Sequence, residues 1–68
     1  MKIVSGKRMC AAIERHGWTL ARISGSHHIY VKSGLNIRLT VPVHGNQDLK
    51  KGLQRAIMKM AGIEENDI

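Results

Sequence analysis

The sequence predicts an α+β fold in which a helix, a three-stranded antiparallel sheet and a second helix follow one another, both helices on one face of the sheet. Three observations carry this: apolar residues at helical spacing near the start, a strict apolar/polar alternation over residues 37–43, and a second helical spacing towards the end. With 68 residues, no repeat and no linker-like stretch, the chain is expected to form a single domain over 1–68. A domain of that size buries only about 60% of the surface its unfolded chain exposes, so its core is small.

Ser5 is a good N-cap, and Met9, Ala12, Ile13 and His16 recur at i, i+3, i+4 and i+7, which places helix one over 6–16. Gly17 then stands where left-handed caps are common, and 18–23 reads as a strand. Ser24, Gly25 and Ser26 signal a turn, and Ile29, Tyr30 and Val31 make 27–32 the second strand. After Ser33 and Gly34, the apolar Ile37, Leu39, Val41 and Val43 alternate with Asn36, Arg38, Thr40 and Pro42, the clearest strand of the chain. Pro42 has no backbone donor, so this strand is expected to end at an edge or just past the ladder.

A loop over 44–48 leads to helix two, whose Leu49, Leu53, Ala56, Ile57 and Met60 define an apolar face, with Lys50, Lys51, Arg55 and Lys59 opposite. Gly62 is its expected cap and Ile63 the apolar residue after it, whereas Asn66 leaves a terminal helical turn in doubt. The methionines read as core fillers and Cys10 as a helix packing residue. A meander with both helices on one face buries all these stripes at once, the architecture of a double-stranded-RNA-binding domain in miniature.

Eleven Lys and Arg stand against five Asp and Glu, and three of the five acids lie in the last five residues, so residues 1–63 carry a net +9. Such a field favours phosphate backbones or strongly acidic proteins as partners. One Trp and one Tyr are too few for a platform that stacks successive bases. The longest apolar run, 9–13, falls far short of the roughly 18 residues of a membrane span, and no stretch resembles a signal peptide, so the cytoplasm is the expected compartment. No Walker or dinucleotide glycine pattern supports a nucleotide cofactor, and no cofactor is expected.

The chain has four histidines, the residue type that both takes and gives a proton near neutrality. RNA needs no metal to be cleaved if a base removes the 2′-hydroxyl proton while cations hold the phosphate charge. His16 reads as a helix residue and His44 as the residue closing the turn after strand three. His27 and His28 differ, because they follow Gly25-Ser26 at a strand entrance on a basic chain, and a glycine there lets a phosphate strand approach closely. A zinc site is disfavoured, since adjacent strand residues point to opposite faces. These residues alone define an RNA-binding or RNA-cutting candidate, the alternative to the enzyme being a noncatalytic basic RNA-binding module.

Gly25-Ser26-His27-His28-Ile29-Tyr30, Val41-Pro42-Val43-His44, 49–57 and Ala61-Gly62-Ile63 together resemble the successive motifs of the HicA family of toxin-antitoxin mRNA interferases, also called YcfA-like. The resemblance implies a helix, three strands, helix fold, metal-independent cleavage of mRNA and inhibition by a HicB-type antitoxin. It places the catalytic histidine of the Gly-Ser-His motif on His27 and the motif glycine on Gly25. Strand parity sets His27 with Ile29 and Val31, and His28 with Tyr30 and Lys32; if Ile29 and Val31 face the core, His28 points to solvent. The turn re-aims the first residue of a strand, so His27 is kept ahead of His28. Gly25, Ser26, Lys32, Lys50, Lys51, Arg55 and Lys59 complete the expected RNA-binding set, with no metal ligand among the site residues.

Overall fold

In the computed structural model, which describes residues 1–68, Ser5 opens helix α1 (Gly6–Arg15) by accepting the Arg8 N–H on its Oγ at 3.1 Å. Met9, Cys10, Ala12 and Ile13 form its buried face. His16, expected on that face, instead sits half-buried at the C-cap, its Nε2 3.2 Å from Asp67 Oδ1. The chain turns through Gly17 at φ +89° and buries Trp18 before entering strand β1 (Thr19–Ser24), one residue later than expected. Strands β2 (His27–Val31) and β3 (Leu39–Pro42) complete an antiparallel sheet of order β1-β2-β3. The third strand is shorter than its alternation implied: Ile37 is exposed, Leu39 and Val41 are buried, and Val43, past the strand's end, lies half-buried against the core. Pro42 does end an edge strand, opposite His27.

Register decides which sheet face is inside. Tyr30 pairs with Leu39 and His28 with Val41, and directly opposed residues share a face. Tyr30, Leu39 and Val41 are all buried under the two helices, so the helix-covered face is that of Tyr30, and Ile29 and Val31 lie on the other. Tyr30 tolerates burial because its hydroxyl donates to Glu14 Oε2 on α1 at 2.6 Å. Burial, then the hydrogen bond to Glu14, holds its phenol well above the ordinary tyrosine pKa. Burial also raises the pKa of the Cys10 thiol, which packs in the core as expected.

Helix α2 spans Lys51–Ala61, with Lys50 as its N-cap, so it begins two residues after Leu49. Its buried side is Gln54, Ile57, Met58 and Ala61. The expected apolar face is therefore corrected by about one residue of rotation: Leu53, Ala56 and Met60 are exposed, and only Leu49 and Ile57 of that set enter the core. Gln54 wins the inner position because its amide accepts the Val4 N–H at 2.9 Å and donates to Lys2 O at 2.6 Å, replacing a strand partner for the N-terminal segment. A fully bonded buried amide avoids the desolvation penalty that an unpaired one would incur. The expectation that the methionines fill the core holds for Met9 and Met58 and fails for Met1 and Met60, which are exposed.

Gly62 caps α2 at φ +72°, and buried Ile63 donates back to Met58 O at 2.9 Å, the expected end. Asn66 does not prevent a final helical turn, Glu65–Asp67. Asp67 closes that turn by accepting the Glu64 N–H at 2.7 Å, and this bond, then His16, lowers its carboxyl below the usual range. Arg15 donates to Asp67 O at 2.7 Å, and the N-terminal amine lies 3.2 Å from Glu65 Oε1. The acidic tail thus meets the chain's start and the end of α1, leaving the cations of α2 unpaired by it. No helix is long and apolar enough to cross a membrane.

Candidate functional site

Ser24 pairs with His27 across a two-residue turn, Gly25-Ser26, in which Gly25 has φ +59° and Ser26 does not have positive φ. Glycine first with positive φ is the pattern of a type II′ hairpin turn, whose twist matches the strands it joins. The turn therefore supplies a local reason for Gly25, and the space beside its Cα is open. Val43 N–H donates to Ser26 O at 2.7 Å, tying the chain after β3 to the same turn.

His27 follows this turn on the middle strand, exposed, on the face not covered by helices. His28 lies half-buried on the helix-covered face, opposite Ile23 and Val41. The parity difficulty raised by the sequence thus disappears: Tyr30, not Ile29 and Val31, faces the core, and simple alternation turns His27 outward. A bulge between Leu20 and Arg22 changes the parity of β1, so Arg22 opposes Ile29 and shares the face of His27. Arg22 was absent from the sequence-derived set because no alternation pattern reveals a bulge in advance.

The other expected site residues divide into four places. Gly25 and Ser26 stand beside His27. Lys32 lies past the far end of β2, roughly 17 Å away at about 3.3 Å per residue, and its Nζ sits 5.9 Å over the centroid of the Trp18 ring. Lys51, Arg55 and Lys59 form an exposed row on α2, but Lys50 is separated from them. As N-cap it lines a groove of about 310 Å³ with Pro42, His44, Asp48 and Leu53. From sequence His44 reads only as closing a turn; its place in a groove that starts at the cross-strand partner of His27 is visible only once α2 is docked. No three His, Cys, Asp or Glu side chains converge as a metal set would.

The sequence expectation that RNA lies along this row has a direct test: neutralising any two of Lys51, Arg55 and Lys59 should then weaken RNA binding alike at all sequences. The slope of log affinity against log salt should flatten by roughly 0.7 for each lost contact to a single strand. Filter binding across a salt series measures this, and an unchanged slope would remove the row from the RNA surface.

Fold and site define a class: a small basic α+β protein of helix, three strands and helix that exposes a histidine directly behind a glycine hairpin turn. The profile of a family described as HicA toxin of bacterial toxin-antitoxin matches residues 6–63. Among solved structures, one described as a HicA3 and HicB3 toxin-antitoxin complex is similar at a TM-score of 0.69 and 32% identity, over 87% of this chain and 94% of that one. No curated protein matches the chain. The chain belongs to the HicA toxin family.

Proposed function

We propose that this chain is the toxin of a toxin-antitoxin pair and acts as an endoribonuclease on mRNA, with His27 as general base and no metal. The observation that carries the reading is His27 itself, exposed on the uncovered sheet face behind the Gly25-Ser26 turn, in a chain whose net charge is +6. In this mechanism the imidazole takes the 2′-hydroxyl proton, and the freed oxygen attacks the adjacent phosphorus. Arg22 on the same face is placed to hold developing phosphate charge, and the α2 row steers the polyanion.

The partner in this reading is a HicB-type antitoxin that covers His27. Occlusion is favoured over refolding because the small core offers few alternative packings, and a basic surface speeds encounter with an acidic protein. The test mixes the purified chain with the product of the adjacent reading frame and follows RNA cleavage together with proton exchange at His27 by NMR. Cleavage should stop as the His27 signal becomes protected. Inhibition with His27 still open to solvent contradicts occlusion, and no complex at micromolar concentration contradicts the partner.

A further inference from the structure

We propose that His44 is the general acid of the cleavage reaction, the group that protonates the departing 5′-oxygen; this rests on the ribonuclease reading above and adds a second catalytic residue to it. A base alone leaves the reaction half equipped, because breaking the P–O5′ bond releases an alkoxide that needs a proton. Of the three remaining histidines, two are badly placed to supply it. His28 follows His27 on the strand and therefore projects from the opposite face, beside Val41. His16 lies at the C-cap of α1, paired with Asp67. Gly6, at the other end of that helix, is the residue that packs on Pro42.

His44 is near, held and accessible. Pro42 is the direct cross-strand partner of His27 and shares its sheet face, and Pro42 also lines the groove that contains His44. Opposed Cα atoms in such a pair lie about 4.5–5.5 Å apart and consecutive ones 3.8 Å, so the Cα atoms of His27 and His44 are at most roughly 13 Å apart. Two imidazoles reaching towards a phosphodiester between them span that distance. The Val43 N–H to Ser26 O bond fixes the residue before His44 to the turn before His27. His44 in turn opens a tight turn closed by Gln47 N–H on its carbonyl at 3.0 Å, with Gly45 at φ +58°. Its side chain is exposed and enters neither ion pair of the chain.

The groove supplies room for the leaving side of the substrate. Its volume of about 310 Å³ lies at the small end of ligand pockets, which suits one nucleoside. Lys50 and Asp48 line it with opposite charges, and Leu53 gives an apolar wall for a base. His27 takes the 2′-hydroxyl proton, the 2′-oxygen bonds to phosphorus, the P–O5′ bond breaks, and protonated His44 gives its proton to the 5′-oxygen. The products are a 2′,3′-cyclic phosphate and a 5′-hydroxyl, and exchange with water restores both imidazoles.

The experiment uses two short oligonucleotides with a single 2′-hydroxyl, identical except that the bridging 5′-oxygen is sulfur in one. A thiolate leaves without a proton, so it removes the need for the acid and leaves the need for the base. His44→Ala is expected to lose about 10²- to 10⁴-fold in kcat on the oxygen substrate and to cut the sulfur substrate within about tenfold of the unsubstituted chain. His27→Ala should be slow on both. Circular dichroism checks that His44→Ala keeps its fold. Equal loss on both substrates, or full activity on the oxygen substrate, overturns the acid role. An unsubstituted chain that cuts neither substrate overturns the ribonuclease reading itself and the acid role with it.

Discussion

His27→Ala is expected to lower the rate of RNA cleavage by about 10²- to 10⁴-fold, the range over which a general base contributes. At 1.36 kcal/mol for each factor of ten, this is roughly 3–5 kcal/mol of barrier. The fold should survive, because His27 is exposed and is not part of the hydrophobic core. RNA affinity should also be nearly unchanged, since the cations remain. His28→Ala is the matched control. That side chain lies half-buried on the helix-covered face, so its removal is expected to cost some stability and to leave cleavage largely in place. Cleavage assays on both variants, with thermal melts beside them, separate the two effects. An inactive His28→Ala with a normally active His27→Ala would move the base to His28.

Gly6→Ala is expected to lower stability by about 1–3 kcal/mol, the usual range for overpacking, and to reduce the melting temperature by roughly 4–8 °C per kcal/mol in a domain of this size. A Cβ at Gly6 would stand 2.0 Å from Pro42 O, and the next nearest atoms, Pro42 C and Val43 Cα, are also backbone. No flexible side chain can swing away, so α1 must move off the end of β3. The gain in helix propensity from Gly to Ala, up to about 1 kcal/mol, does not offset this. Gly52→Ala is the same chemical change in α2, where nothing lies within 4 Å of the new methyl, and it should stabilise by about 0.5–1 kcal/mol. Opposite signs in paired denaturant melts are the expected result. A Gly6→Ala chain as stable as the unsubstituted one would contradict this helix-strand packing. Because Gly6 packs against the segment that links His27 to His44, its replacement should also slow cleavage.

Much of this was legible from local chemistry. The Ser5 cap, the Gly17 and Gly62 turns, the Gly25-Ser26 hairpin and the order of elements all follow from residues within a few positions of one another. What local pattern could not supply depends on partners far along the chain. Leu53 and Met60 looked like core residues of α2, but Gln54 takes the inside because Lys2 and Val4 need its amide. Ile29 and Val31 are as apolar as a core face requires, yet Tyr30 goes inward because Glu14 waits for its hydroxyl. That single choice decides which of two adjacent histidines meets solvent. The exposed Arg22 depends on a bulge, and the groove at His44 on the docking of α2, so neither has a signature in the residues themselves. The Gly-Ser-His motif pointed to His27 without any of this, and the sheet register explains in physical terms how that residue comes to face outward.

Metal-independent cleavage by His27 is tested by incubating the purified chain with a defined RNA in excess chelator and analysing the ends of the products. Shorter fragments that carry 2′,3′-cyclic phosphates and 5′-hydroxyls are expected, with their near-complete absence for His27→Ala. Intact RNA in chelator, with binding still measurable, would contradict metal-independent cleavage and leave the chain as a basic RNA-binding module.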